Sequence, residues 1–136
     1  MRKTLAAALA AAALSGCLAA QTSPDNGAVC DAYSYERSHV EVVASGTVTR
    51  VLGEQDGRIS PHEGFLMRLD SGCAVTVRVE ANTDFTGTFA LAQGQRVTAK
   101  GEYEYYPRGG VIHWTHRDPR GRHEAGFIET DGKTYE

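Results

Sequence analysis

The segment Phe65–Val79 constrains the fold more than any other part of the chain, because both of its halves alternate between apolar and mixed positions. Phe65, Met67 and Leu69 alternate with Leu66, Arg68 and Asp70. Beyond a short break, Cys73, Val75, Val77 and Val79 alternate with Ala74, Thr76, Arg78 and Glu80. A period of two marks strands that bury one face. Asp70-Ser71-Gly72 reads as a three-residue turn with glycine at the left-handed position. Pairing across it sets Leu69 opposite Cys73, Met67 opposite Val75 and Phe65 opposite Val77, so the inward residues of both strands share one face.

A second hairpin follows the same logic. Val97, Ala99, Gly101, Tyr103 and Tyr105 form one face, with Thr98, Lys100, Glu102 and Glu104 on the other. Pro107-Arg108-Gly109-Gly110 makes the turn and Val111–His116 returns. This predicts Tyr105 opposite Ile112, Tyr103 opposite Trp114, Glu104 opposite His113 and Glu102 opposite Thr115. Tyr103, Tyr105 and Trp114 then belong to the core, leaving Tyr106 free. Val40–Leu52 is rich in Val and Thr and is interrupted by Gly46, as in a long strand with a glycine kink. Five strands, with a non-strand segment near 82–94 before the fourth, predict an all-β, OB-like five-stranded barrel; the alternative is a small β-sandwich.

The N-terminus sets the expected compartment. Arg2 and Lys3 precede an alanine-rich run that ends in Leu14-Ser15-Gly16-Cys17, the layout of a secretory signal closed by a lipobox. The expected organisation is a signal peptide over 1–16, a lipidated N-terminus and tether over 17–32, and the β-domain over 33–136. Cys17 would carry the lipid, and Leu18 after it points to the outer membrane. The alternative is cleavage near Ala19-Ala20-Gln21, releasing a soluble protein. Cys30 and Cys73 remain, an even pair suited to one disulfide in an oxidising periplasm. No CxxC motif supports thioredoxin-like chemistry or a zinc ribbon. Without residues 1–16, which hold Arg2 and Lys3, 12 basic residues face 17 acidic ones, a net charge of −5. That balance argues against general nucleic-acid binding.

Most chemistry-capable side chains lie in His113-Trp114-Thr115-His116-Arg117-Asp118-Pro119-Arg120-Gly121-Arg122-His123. Three imidazoles and a carboxylate in so short a run invite a divalent metal. His113 and His116 are three apart and point to opposite faces of a continuing strand, so His116, Asp118 and His123 are the candidate ligands. The candidate ligand-binding set is Glu104, Tyr106, His113, His116, Asp118, Arg122 and His123. In it, Arg122 and the imidazoles hold an anionic group, of a glycan or nucleotide, and Tyr106 stacks on it. The competing reading is scaffold, since Asp118 before Pro119 is a turn starter. Asn82 and Asp84 read as an Asx turn, and His62 as a loop residue without a role. No Ser-His-Asp arrangement, Walker loop or zincin motif is present.

Several strings together resemble a bacterial exported domain-of-unknown-function family (DUF 3465). They are Gly101-Glu102-Tyr103-Glu104-Tyr105, Gly109-Gly110-Val111-Ile112-His113-Trp114-Thr115-His116, Asp118-Pro119, Gly121-Arg122-His123 and Gly126-Phe127-Ile128. Looser matches upstream are Ser45–Leu52 and His62–Phe65. The family usually has Trp at the positions of Tyr105 and Phe127, and a His where this chain has Ala81. The resemblance implies a small exported fold unit in which His113, His116, Asp118 and His123 act together, and it implies no activity.

The expected function is therefore an uncharacterised cell-envelope lipoprotein serving as a binding or accessory module. Its expected partners are the membrane, through the lipid, and an anionic small molecule or glycan; no cofactor is expected beyond a candidate divalent metal. One alternative is a metal-dependent hydrolase in which Glu102 or Glu104 acts as base for a water bound at His116, Asp118 and His123. The other is a purely structural envelope protein.

Overall fold

The computed structural model describes residues 23–57 and 59–136. The expected signal peptide (1–16) and the expected lipidation site, Cys17, lie outside the described residues. The elements are α1 (Asn26–Ser34), β1 (Val40–Asp56), β2 (Pro61–Leu69), β3 (Thr76–Asn82), α2 (Thr83–Thr86), β4 (Arg96–Glu104), β5 (Val111–His113), β6 (Phe127–Thr130) and β7 (Lys133–Tyr135). None of the described helices is long and apolar enough to cross a membrane.

The chain is all-β around one sheet of order β1-β2-β3-β5-β4-β6-β7, and an additional β1–β4 pairing closes the first five of these into a ring. This is the connectivity expected of an OB-like fold, and among the described residues there is no second sheet of the kind a sandwich needs. β1 closes the ring because it is long enough to serve two neighbours. Its first half, Val40–Thr47, pairs with β4, and Gly46–Asp56 pairs with β2. Gly46 is where both partners meet, against Leu69 and Val97. A Cβ there would collide with the carbonyl oxygen of Arg68 and with Met67, so the kink expected from this glycine is a close approach of backbones.

The inward faces are the expected ones. Phe65, Met67, Val77, Val79, Tyr103 and Ile112 are fully buried. Both hairpin registers differ from expectation by two residues in each pair sum. Phe65 faces Val79 and Met67 faces Val77, and Tyr103 faces Ile112 while Glu102 faces His113. In each case the connection is longer than the minimal turn because other elements claim its residues. Cys73 is bonded to Cys30 of α1, and Asp70 N–H donates to the Ser45 carbonyl of β1 (3.1 Å). In the second connection, Tyr105 N–H donates to Ser38 Oγ (3.0 Å), and the Gly110 carbonyl accepts from Arg78 N–H of β3 (3.0 Å).

Three further differences matter. Trp114 is no core residue: it is 41% exposed, and its φ of 56° ends β5 one residue earlier. Tyr105 is half-buried and only flanks the core. β6 and β7, beyond the five expected strands, extend the sheet past β4. The packed body also begins before residue 33. α1 buries Val29 and Ala32 completely, and Asn26 pairs with both backbone groups of Ser45 (2.9 and 3.0 Å) as a strand would.

Candidate functional site

Alternation along β4 puts Glu102 and Glu104 on its outward face, two residues apart. Glu102 lies between two strands, opposite Glu41 of β1 and His113 of β5. Gly101 lets β5 come this close: a Cβ on it would strike the carbonyl oxygen of His113. His39, just before β1, adopts a left-handed backbone (φ 59°), which is uncommon for a non-glycine residue. Its Nδ1 donates to Glu102 Oε1 at 3.0 Å and lies 3.9 Å from Glu104 Oε1. From the other side, His113 Nε2 lies 3.6 Å from Glu102 Oε1 and 3.4 Å from Glu104 Oε1. That nitrogen is buried and makes no hydrogen bond.

The electrostatics follow from this crowding. The bond to Glu102, with the charges of both glutamates, raises the His39 pKa. Partial burial, then the nearby Glu124 and Glu102 carboxylates, raise that of Glu41. Two imidazoles thus face two carboxylates within an acidic patch.

Glu104 and His113 also line an open groove of about 800 Å³ on the outward side of β2, β3 and β5. Leu52, Leu66 and Val111 supply its apolar part, and Arg78, Glu80 and Arg108 its charges. Arg78 Nε sits 2.7 Å from Glu80 Oε1, at an angle that makes an ion pair and no hydrogen bond. Its Nη2 donates to Gln55 Oε1 (3.1 Å). Tyr106, 54% exposed, stands at the rim on the β4–β5 connection.

The histidine-rich segment lies elsewhere. β5 and β6 occupy successive stretches of one edge of β4, and residues 114–126 form an excursion between them, closed by Gly126 N–H donating to the His116 carbonyl (3.0 Å). The reversal at Trp114 turns Thr115 and His116 inward, where both are buried. His116 stacks on Phe85 (4.3 Å, interplanar 5°) and meets the His123 ring edge-on at 4.9 Å. Each imidazole donates through Nδ1 to a backbone carbonyl, His116 to Arg117 (2.8 Å) and His123 to Glu124 (2.7 Å).

Asp118 does not join them. Its Oδ1 accepts from Arg120 N–H (2.9 Å), and its Oδ2 accepts from Arg122 N–H (2.9 Å) and Nε (2.8 Å). The Arg122 side chain, then the Arg120 backbone N–H, hold its carboxyl well below the usual range. Asp118 and Arg122 therefore pair with each other and build the turn after Pro119. Asn82 is likewise a cap, accepting from Asp84 N–H (3.0 Å).

Burial lowers the His116 pKa, which makes stability depend on pH with a definite sign. A depressed imidazole contributes fully above the unfolded value of about 6.5, and the contribution is lost as pH falls toward the folded value. His39, with its raised pKa, acts oppositely: its contribution is present below about 6.5 and lost as pH rises through the folded value. In a His39→Ala background, urea midpoints should therefore fall between pH 7.5 and pH 5. Adding His116→Gln should flatten that slope, and an unchanged slope would show that His116 does not resist protonation.

The structure thus splits the sequence candidates into two sets. Glu104, Tyr106 and His113 share the groove, whereas His116, Asp118, Arg122 and His123 belong to the excursion. Among the described residues, the group of three whose ligand atoms come within 4.8 Å of one another is His39, Glu102 and Glu104. His39 escaped sequence reasoning because its partners lie across the β1–β4 pairing, which joins residues about sixty apart. Arg78, Glu80 and Arg108 were missed as well; Arg78 and Glu80 carried a signal, since both occupy outward positions of a strand facing the same way as His113.

The family described as protein of unknown function (DUF3465) matches residues 12–136. No curated protein and no solved structure matches the chain.

Proposed function

We propose that this chain, which belongs to the DUF3465 family, is a cell-envelope lipoprotein whose domain binds a glycan in the groove beside β3 and β5. The envelope assignment is supported by the Leu14-Ser15-Gly16-Cys17 pattern and by the Cys30–Cys73 disulfide, a bond typical of oxidising compartments. The observation that carries the binding assignment is the lining of the groove. Paired opposite charges, an apolar floor and one exposed aromatic ring at the rim suit a polar, uncharged chain that offers hydroxyls and flat C–H faces.

In OB folds the outward face of the second and third strands, with the loop between the fourth and fifth, is where oligosaccharides and oligonucleotides bind. A net charge of −5 without residues 1–16 disfavours the oligonucleotide. Of the two arginines in the groove, Arg78 is already paired, which favours a neutral glycan over the anionic ligand expected from sequence.

Calorimetric titration of the oxidised domain with a soluble N-acetylglucosamine oligomer, an uncharged saccharide, tests this, with an oligonucleotide of equal length as control. Saturable binding of the saccharide is expected, weakened about tenfold or more (about 1.4 kcal/mol) by Tyr106→Ala. The thermal midpoint should not change, since the ring is at the surface. Saccharide binding indifferent to Tyr106→Ala and Arg108→Ala would place the ligand elsewhere. Preference for the oligonucleotide would overturn the assignment.

A further inference from the structure

We propose that His39, Glu102, Glu104 and His113 form a site for one divalent transition-metal ion, with Zn²⁺ the ion that their donor set suits best. Two imidazole nitrogens and two carboxylate oxygens are a borderline set, harder than the thiolate sites of zinc fingers and softer than the all-oxygen shells of Mg²⁺ and Ca²⁺. The spacing agrees. A tetrahedral shell at about 2.0–2.1 Å from zinc puts its donors about 3.3 Å apart. The imidazole nitrogens lie 3.0 and 3.9 Å (His39) and 3.6 and 3.4 Å (His113) from the two Oε1 atoms.

Hydrogen bonding within the cluster leaves part of it unexplained. His39 satisfies Glu102, but His113 Nε2 is buried beside two carboxylate oxygens without a hydrogen bond to either. An ion between the four groups would satisfy that nitrogen. The donors also come from three separate segments: the residue before β1, two positions of β4, and the end of β5. The backbone is left-handed at His39 and at Trp114, immediately after His113 (φ 59° and 56°). Conformations of this kind persist where surrounding structure holds them, and they gather at functional sites. Glu41 and Glu124 add negative charge to the same patch, partly offset by Lys100 and His123.

Four protein donors fill a tetrahedral shell and leave no open position for a reacting water. The ion would therefore clip the segment preceding β1 onto β4 and β5 at one end of the groove, as a structural centre and not a hydrolytic one. The proposal does not depend on the glycan reading, since metal binding is read without any saccharide.

The test uses metal-stripped protein lacking a histidine tag, titrated with Zn²⁺ by calorimetry and with Co²⁺ for the visible absorption of a tetrahedral site. One equivalent per chain is expected. Glu102→Gln and His39→Ala should each weaken binding about tenfold or more, the loss that even outer partners of metal ligands produce. His39 is 75% exposed, so His39→Ala keeps the fold and remains decisive should Glu102→Gln unfold the domain. His123→Ala should leave affinity unchanged. No saturable binding would overturn the proposal. So would binding indifferent to His39→Ala, or binding lost with His123→Ala instead.

Discussion

Replacing Cys30 and Cys73 together with serine is expected to lower the unfolding free energy by about 4 kcal/mol, the chain-entropy value for a loop of this size. The bond closes a separation of 43 residues and ties α1 to the β2–β3 connection. Little else could hold α1 by its own means. It has nine residues, no side-chain cap, no acidic residue in its first turn and no basic one in its last, and helices this short are marginal alone. Without the disulfide, burial of Val29 and Ala32 and the Asn26 contacts with Ser45 must keep it docked. Urea unfolding of the wild type and the double variant, both free of reductant, measures the difference. A loss below about 1 kcal/mol would mean that α1 docks through side-chain contacts and that the crosslink is incidental to the fold.

Tyr103→Ala is expected to cost about 3–5 kcal/mol, the range for deleting a buried aromatic ring. Tyr103 is fully buried and pairs with Val40 of β1 and Ile112 of β5, at the place where three strands of the ring meet. Its hydroxyl donates to the Gly109 carbonyl (3.1 Å), so the same residue packs the core and anchors the β4–β5 connection. Burial pushes the hydroxyl pKa up to about 12, so it stays a donor across the physiological range. Tyr103→Phe keeps the ring and gives up only that bond, at about 1 kcal/mol. Comparing the two by urea unfolding separates the contributions. A Tyr103→Phe loss close to that of Tyr103→Ala would show that the loop anchor matters more than the packing.

Several features of the fold were legible from the chain. The need for glycine at position 46, the pairing of Cys30 with Cys73 and the capping role of Asn82 could be read from the residues themselves. The β6–β7 hairpin was legible too, although it was overlooked. Asp131-Gly132, with φ of 51° and 72°, is the turn signal expected between paired strands. The candidate site was harder to read. Clustering of His113, His116, Asp118 and His123 along the chain suggested one centre, yet alternation in β5 keeps His113 outward beside Glu102, and a single reversed residue, Trp114, carries the others into the excursion.

Which side chains point inward could be read from sequence, because strand alternation has period two and survives a register change that preserves it. Both hairpins moved in that way, and the expected faces were kept except at Tyr105, which only flanks the core, and where Trp114 broke the strand. The partners of the outward residues came from packing. Where Cys30 holds Cys73, Ser38 holds Tyr105 and β3 holds Gly110, the connections lengthen and the registers follow. Glu102 and Glu104 meet His39 only because β1 closes the ring against β4, and pairing across so much chain leaves no local trace in the sequence.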